Sequence, residues 1–305
     1  MPRCIRRLAL ATLLVFIVPG GAHAQDTTTA AQRDTATADT VTVVRLRDGS
    51  VLFGHIIEQD AERVRVRTLG GMQIDIRRDQ ITSINRTRGR QVGTEFWAAD
   101  PNGTRLLFTS TGRALGKGEG YVATYFLFFP FVAYGVTDRF TIAGGTPVIP
   151  NFIGRAFYVA PKFTLAETRN ASYAIGALSF ALTEEVSAGT VGLLYGVGTW
   201  GNRDNAVTAG AGWGYRWGGD ESDLSSAPVI VLGGETRISR RVKVVTENWF
   251  YTGTGEKGGL ISGGFRFIGD RLSSDLGLIG AFGGGDAWCC LPSVNFVWNF
   301  GRNRR

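Results

Sequence analysis

Between Thr104 and Phe300 the chain alternates in hydrophobicity with a period of two, in segments of 8 to 13 residues set apart by turn formers. Successive residues of a strand face opposite sides of the sheet, so the alternation fixes two faces of different chemistry. In 207–217, Val207, Ala209, Ala211, Trp213, Tyr215 and Trp217 alternate with Thr208, Gly210, Gly212, Gly214 and Arg216. In 293–300, Val294, Phe296, Trp298 and Phe300 share one face, while Ser293, Asn295 and Asn299 share the other, interrupted by Val297. A soluble sandwich would place its polar face outward and charge it heavily. Here the aromatic face must meet an apolar medium and the glycine-rich face a crowded interior, which is the pattern of an antiparallel transmembrane β-barrel. Outside the N-terminus no apolar run reaches the roughly 18 residues of a spanning helix, and the mean hydropathy is only +0.02. The expected fold class is all-β.

Strands are expected near 104–111, 120–136, 139–145, 154–166, 171–182, 189–200, 204–215, 227–238, 242–251, 257–268, 272–282 and 291–300, twelve in all. The 120–136 run is long enough for a helix, but Pro130 and its aromatics favour one strand or two. The connections fall into two sets. Short turns are expected at 137–138, 167–170, 201–203, 239–241 and 269–271, and longer loops at 146–153, 182–188, 216–226, 252–256 and 283–290. Bacterial barrels keep short turns on the periplasmic side, so both chain ends belong there.

The N-terminal third is different. Residues 1–24 carry Arg3, Arg6 and Arg7, an apolar run from Leu8 to Val18 and the small-x-small site Ala22-His23-Ala24, the organisation of a cleaved secretory signal. Residues 25–40 are Thr, Ala and Asp with almost nothing to bury, a flexible linker. From Val41 to residue 85, Val44, Leu46, Val64, Val66, Ile74 and Ile76 alternate with polar residues between the turns at Asp48-Gly49-Ser50 and Gly70-Gly71, giving five short strands. This pattern resembles an SH3-like or Sm-like small barrel. Residues 86–103 follow as a connector, 104–300 as the large barrel and 301–305 as a basic tail.

Two stretches of charge stand out. Residues 41–90 hold ten arginines and six acids, and Arg63, Arg65 and Arg67 form a stripe that could grip an anionic cell-wall polymer or an acidic periplasmic protein. Export argues against nucleic acid as the partner. In the large barrel, alternation directs Lys162, Glu235, Arg237, Lys243, Glu247, Arg266 and Asp275 into the lumen, where burial demands that they pair. No long inward-folding loop is evident, so if the lumen is closed, side chains are expected to close it.

Phe300 at the end of an alternating aromatic strand resembles the C-terminal signal recognised by the barrel-assembly machinery. The stretches Pro101-Asn102-Gly103-Thr104-Arg105, Gly118-Glu119-Gly120-Tyr121, Tyr195-Gly196-Val197-Gly198-Thr199 and 239–248 resemble an uncharacterised bacterial outer-membrane β-barrel family, over most of residues 95–300. The resemblance implies a location in outer-membrane lipid rather than an activity, and the short turns, on the same side as the chain's two ends, put the small barrel in the periplasm. Gly301 to Arg305 follow the terminal aromatic here, where the usual signal ends the chain.

Chemistry is sparse. Residues 56–305 contain no histidine, which removes Ser-His and Asp-His mechanisms from the barrel, and His55 is read as a strand residue. Glu184 and Glu185 are adjacent and point apart. Cys289 and Cys290 are read as loop thiols without a role. The chain is therefore expected to be non-enzymatic and to hold no cofactor or metal. It would anchor and present its small domain; the alternative is a narrow channel or transporter for small solutes.

Overall fold

The structure, a computed structural model, describes residues 39–93, 95–150, 152–182, 189–218, 222–253 and 257–301. The expected signal, all but the end of the linker, and the tail beyond residue 301 lie outside the described residues, as do Glu184 and Glu185.

The small domain is a sheet of six strands: β1 (Asp39–Leu46), β2 (Val51–Gln59), β3 (Arg63–Thr68), β4 (Gln73–Arg77), β5 (Ile81–Val92) and β6 (Glu95–Ala98). Their order is β4-β3-β2-β1-β5-β6, all neighbours antiparallel. Inward residues of the alternating runs, Val44, Val64, Val66 and Ile76, make its core, packed on Leu46, Leu52, Ile56, Ile74, Ile81 and Ile84. A 3-10 turn at Arg78–Gln80 joins β4 to β5. Five strands were expected here. The sixth arises because β5 does not stop at Ile84 but runs on through Val92 and folds back as β6. Phe96 of that added strand is buried against Phe53, with ring centroids 5.4 Å apart.

Twelve strands then close on one another: β7 (Gly120–Tyr125), β8 (Phe129–Gly135), β9 (Phe140–Gly145), β10 (Ala156–Glu167), β11 (Ala171–Leu182), β12 (Gly189–Gly201), β13 (Asn205–Trp217), β15 (Val229–Arg237), β16 (Val242–Thr252), β17 (Lys257–Ile268), β18 (Leu272–Gly283) and β19 (Asp286–Phe300). A two-residue strand, β14 (Asp223–Leu224), lies beside β13 in a loop. Each strand pairs with its sequence neighbour, and β19 meets β7 to close the ring.

The count of twelve is reached by a different division from the one expected. Residues 104–111 form no wall strand, because Leu106-Leu107-Phe108 do not alternate and the segment turns back on itself inside the barrel. The 120–136 run instead supplies two strands, β7 and β8, joined by a tight turn in which Phe126 (φ 50°) and Leu127 (φ 66°) adopt the left-handed conformation of primed hairpin turns. The expected outer loop at 283–290 is likewise shorter. Asp286 to Cys290 belong to β19, and Cys289 and Cys290, expected as free thiols, are joined to each other in a disulfide. The ladder to β18 shifts register there, opposite Gly280.

Outward residues are apolar around the ring, among them Ile142, Phe157, Phe163, Trp200, Val207, Trp213, Leu232, Phe265, Leu276, Phe296 and Trp298. No helix among the described residues is long and apolar enough to cross a membrane. One stretch of wall is low. The strands β7, β8 and β9 have 6, 7 and 6 residues, whereas the other nine run from 9 to 15. As a result β19 finds β7 only along residues 296–300.

The small domain docks at the end of the barrel that carries the short turns. Arg45 pairs with Asp270, Arg90 pairs with Asp204, and Arg237 Nη1 donates to Ala98 O at 2.6 Å. Two guanidiniums approach the ring of Trp97 on β6, that of Arg90 at 5.2 Å and that of Arg237 at 5.3 Å. The stacked cations hold the sheet edge against the barrel rim.

Candidate functional site in the barrel lumen

The segment between β6 and β7, residues 99–119, enters the lumen and leaves again. Its centre is a tight hairpin. Arg105 bridges Ser110, Leu106 N donates to Thr109 O at 2.8 Å, and Thr111 N to Thr104 O at 2.9 Å. The expectation that side chains alone would close the lumen is thereby corrected. A hairpin of the chain fills it, and the turn formers Pro101, Asn102, Gly103 and Gly112 give it the room to reverse. Gly112 is pressed against the wall so closely that a Cβ there would lie 2.2 Å from Ser172 O, and a Cβ on Gly135 would lie 2.1 Å from Gly116 O on the exit segment. No other residue fits at such approaches.

All seven charged residues directed inward by alternation are buried, and most of them grip this hairpin. Lys243 Nζ bonds Asp100 at 2.7 Å, Glu235 at 3.0 Å and Arg203 O at 2.7 Å. Arg266 binds Asp275 through Nε at 2.8 Å, reaches Asp100 at 3.5 Å and donates to the hairpin carbonyl of Leu106 at 2.6 Å. Lys162 Nζ donates to three carbonyls of the inserted segment, those of Thr104 (3.4 Å), Thr111 (3.2 Å) and Arg113 (2.8 Å). Glu247 accepts from Phe108 N at 2.9 Å, Thr109 Oγ1 at 2.7 Å and Trp249 Nε1 at 2.7 Å. Arg237 stands apart at the rim with Asp204, at 3.0 Å.

Three partners came from the inserted segment and were not singled out in the sequence. Asp100 joins Lys243 and Arg266. Arg105 Nη1 binds Asp275 at 2.8 Å, and Arg113 Nη1 binds Glu235 at 2.5 Å. The wall thus carries most of an ion network and the inserted segment completes it with Asp100, Arg105 and Arg113. Ion pairs removed from water demand such completeness, since a lone buried charge is far costlier than a paired one.

Above the hairpin, toward the end with the longer loops, the lumen opens into a cup of about 280 Å³. Its floor is Thr104, Arg105, Phe108, Thr109 and Ser110, and its wall is largely aromatic, including Tyr121, Tyr125, Phe126, Phe131, Tyr158, Phe180, Tyr195 and Trp249. Phe108 at the hairpin tip stacks on Phe126 with centroids 5.1 Å apart and meets Tyr125 edge-on at 5.4 Å. The left-handed turn at Phe126 is what brings that ring over the tip.

The arginine stripe of the small domain is exposed or half-buried and largely met by its own acids. Arg65 forks onto Asp75 at 2.7 Å and Glu58 at 2.7 Å, and Arg63 lies 3.5 Å from Asp60. Hydrogen bonding from the Arg65 guanidinium holds the Asp75 carboxyl below its ordinary pKa. Arg67 remains exposed on β3. Among the described residues no group of three or more His, Cys, Asp or Glu could hold a metal ion.

No protein-family model and no curated protein matches the chain. Among solved structures, one similar chain is the "KdgM porin in complex with disordered oligogalacturonate". It has 6% identity and a TM-score of 0.42, over 60% of this chain and 98% of that one. Another is "OmpT (in-vitro folded), an outer membrane protein Vibrio cholerae (trimer form)", with 11% identity and a TM-score of 0.34, over 86% of this chain and 96% of that one. The closed strand ladder, rather than either likeness, establishes the barrel.

Proposed function

We propose that this chain is an outer-membrane barrel that carries a small solute through its lumen under the control of the inserted hairpin. Its SH3-like small domain then lies in the periplasm, beneath the short turns. The observation that carries this reading is the hairpin itself: a piece of chain distinct from the wall, tied to it by polar contacts, lies beneath a cup that faces the opposite end of the barrel. A wall packed shut by its own side chains would offer nothing to move. The role first expected from the sequence, an anchor for the small domain, is the second reading. It is favoured by the docking of that domain through Arg45, Arg90 and Arg237.

The test is conductance in a planar bilayer, comparing the chain from residue 25 with a variant lacking residues 104–111 and carrying Glu247→Gln. Thr111 N bonds Thr104 O, so Gly103 and Gly112 lie close enough to be joined, and Asp100 and Arg113 stay in place for Lys243 and Glu235. The intact chain should be closed or open briefly, and the shortened one should conduct in steady steps. Silence from both, with insertion demonstrated, would sink the reading and leave the anchor.

A further inference from the structure

We infer that the luminal cup binds a small apolar monocarboxylate whose carboxylate is held by Arg105. This deepens the transport reading by naming its substrate class, and it rests on that reading for its meaning.

The guanidinium of Arg105 is 2% exposed. Its Nη1 is fully employed, bonding Asp275 at 2.8 Å and the carbonyls of Leu106 and Leu107 at 3.1 and 2.9 Å. Its Nε and Nη2 are buried and have no partner. Buried N–H groups are seldom left unpaired, and a charged donor pays most for it. These two share one edge of the planar group, the edge whose paired N–H bonds match both oxygens of a carboxylate. The ring of Tyr125, 5.7 Å from the guanidinium carbon, backs the group in place at the cup floor.

Charge points the same way. Among the described residues the buried cations are Arg105, Arg113, Lys162, Arg237, Lys243 and Arg266, and the buried carboxylates are Asp100, Asp204, Glu235, Glu247 and Asp275. Six stand against five. Lys162, which also lines the cup, donates its hydrogen bonds to carbonyls and has only the more distant Glu167 as an opposite charge. One anion would complete the set. The remainder of the cup asks for an apolar body, since its wall is built of rings such as Phe131, Phe180 and Trp249. At about 280 Å³ it sits at the lower bound of small-molecule pockets, room for one ring with a short chain.

Titration calorimetry on the full chain in detergent tests this with three probes: 4-phenylbutyrate, its neutral amide, and inorganic phosphate. The acid should bind at least tenfold more tightly than the amide, and phosphate should not compete. Arg105→Met should bring acid and amide to equal affinity. Arg105→Lys, which keeps the charge facing Asp275 but loses the fork, should retain the fold and lose most of the preference. Ala160→Phe, placing a ring into the cup from its wall, should abolish binding of both. Equal affinity for acid and amide in the unaltered chain, competition by phosphate, or no binding would overturn the inference. Conductance is scored separately: binding without any conducting state removes the transport reading alone, and conduction without binding removes this inference alone.

Discussion

Arginine meets carboxylate in two places in this molecule, and the two behave as different interactions. On β3 of the small domain, Arg65 forks onto Asp75 and Glu58 in water, where screening and side-chain entropy consume most of the attraction. In the lumen, Arg266, Lys243, Asp100, Asp275 and Glu235 make bonds of similar length with almost no exposure. There each group depends on its partner, because an orphaned charge would keep its full desolvation penalty. The comparison teaches that the surface set is decoration on a fold that stands without it, while the luminal set joins two pieces of structure.

The hardest blow to that contrast is Lys243→Met, which leaves Asp100 and Glu235 short of a cation. It should cost about 3 to 5 kcal/mol, read as a lower urea midpoint of the folded barrel; an unchanged midpoint would mean that the lumen is wet. Next is Glu247→Leu. The Phe108 and Thr109 donors would lose their acceptor at about 1 to 3 kcal/mol each, so the melting temperature should fall, and a constant value would deny Glu247 its role at the hairpin tip. A smaller effect is expected from Phe108→Ala, which removes the stack on Phe126. Such aromatic pairs contribute about 0.5 to 1.5 kcal/mol beyond buried area, so brief openings in the bilayer should become more frequent while the barrel stays folded.

The surface pair should show least. Asp75→Asn should leave thermal unfolding of the whole chain unmoved at neutral pH. The Asp75 carboxyl is depressed by Arg65, so its contribution is present above the ordinary carboxylate pKa of about 4 and is lost as pH falls through the lower folded value. Any difference in stability between wild type and Asp75→Asn should therefore lie above about pH 4 and vanish below it, where a protonated Asp75 is as neutral as the Asn that replaces it. A shift in the melting temperature of the whole chain at pH 7 would show that the exposed pair contributes more than its setting allows.

Period-two alternation made most of the wall legible, because every outward strand residue must satisfy an apolar surrounding. The same rule named the inward charges of β10, β15, β16, β17 and β18. It could not name their partners. Asp100, Arg105 and Arg113 sit in a segment that crosses no membrane, so no periodic constraint marks them, and residues 104–111 have the length of a strand. The signal that distinguished them was local: three consecutive apolar residues, 106–108, flanked by Pro101, Gly103, Gly112 and Gly116. The division of the 120–136 run was hidden for a related reason. Phe126 and Leu127 hold a conformation that favours Gly or Asn, so no turn former announced the reversal. The cup depends on neighbours brought together by closure of the ring, whereas the disulfide joins two residues already adjacent in the sequence.

The hairpin enters the lumen directly from β6 and leaves directly into β7. It is leashed at both ends, with Ala98 held by Arg237 on one side and Gly120 stitched to Phe300 on the other. Such a stopper has no route out of its bottle. Whatever loosens it can let it sink only as far as the slack in 99–103 and 112–119 permits, and its return is intramolecular, at the high effective concentration of a short tether. Reclosure therefore needs no partner and no supply of free plug.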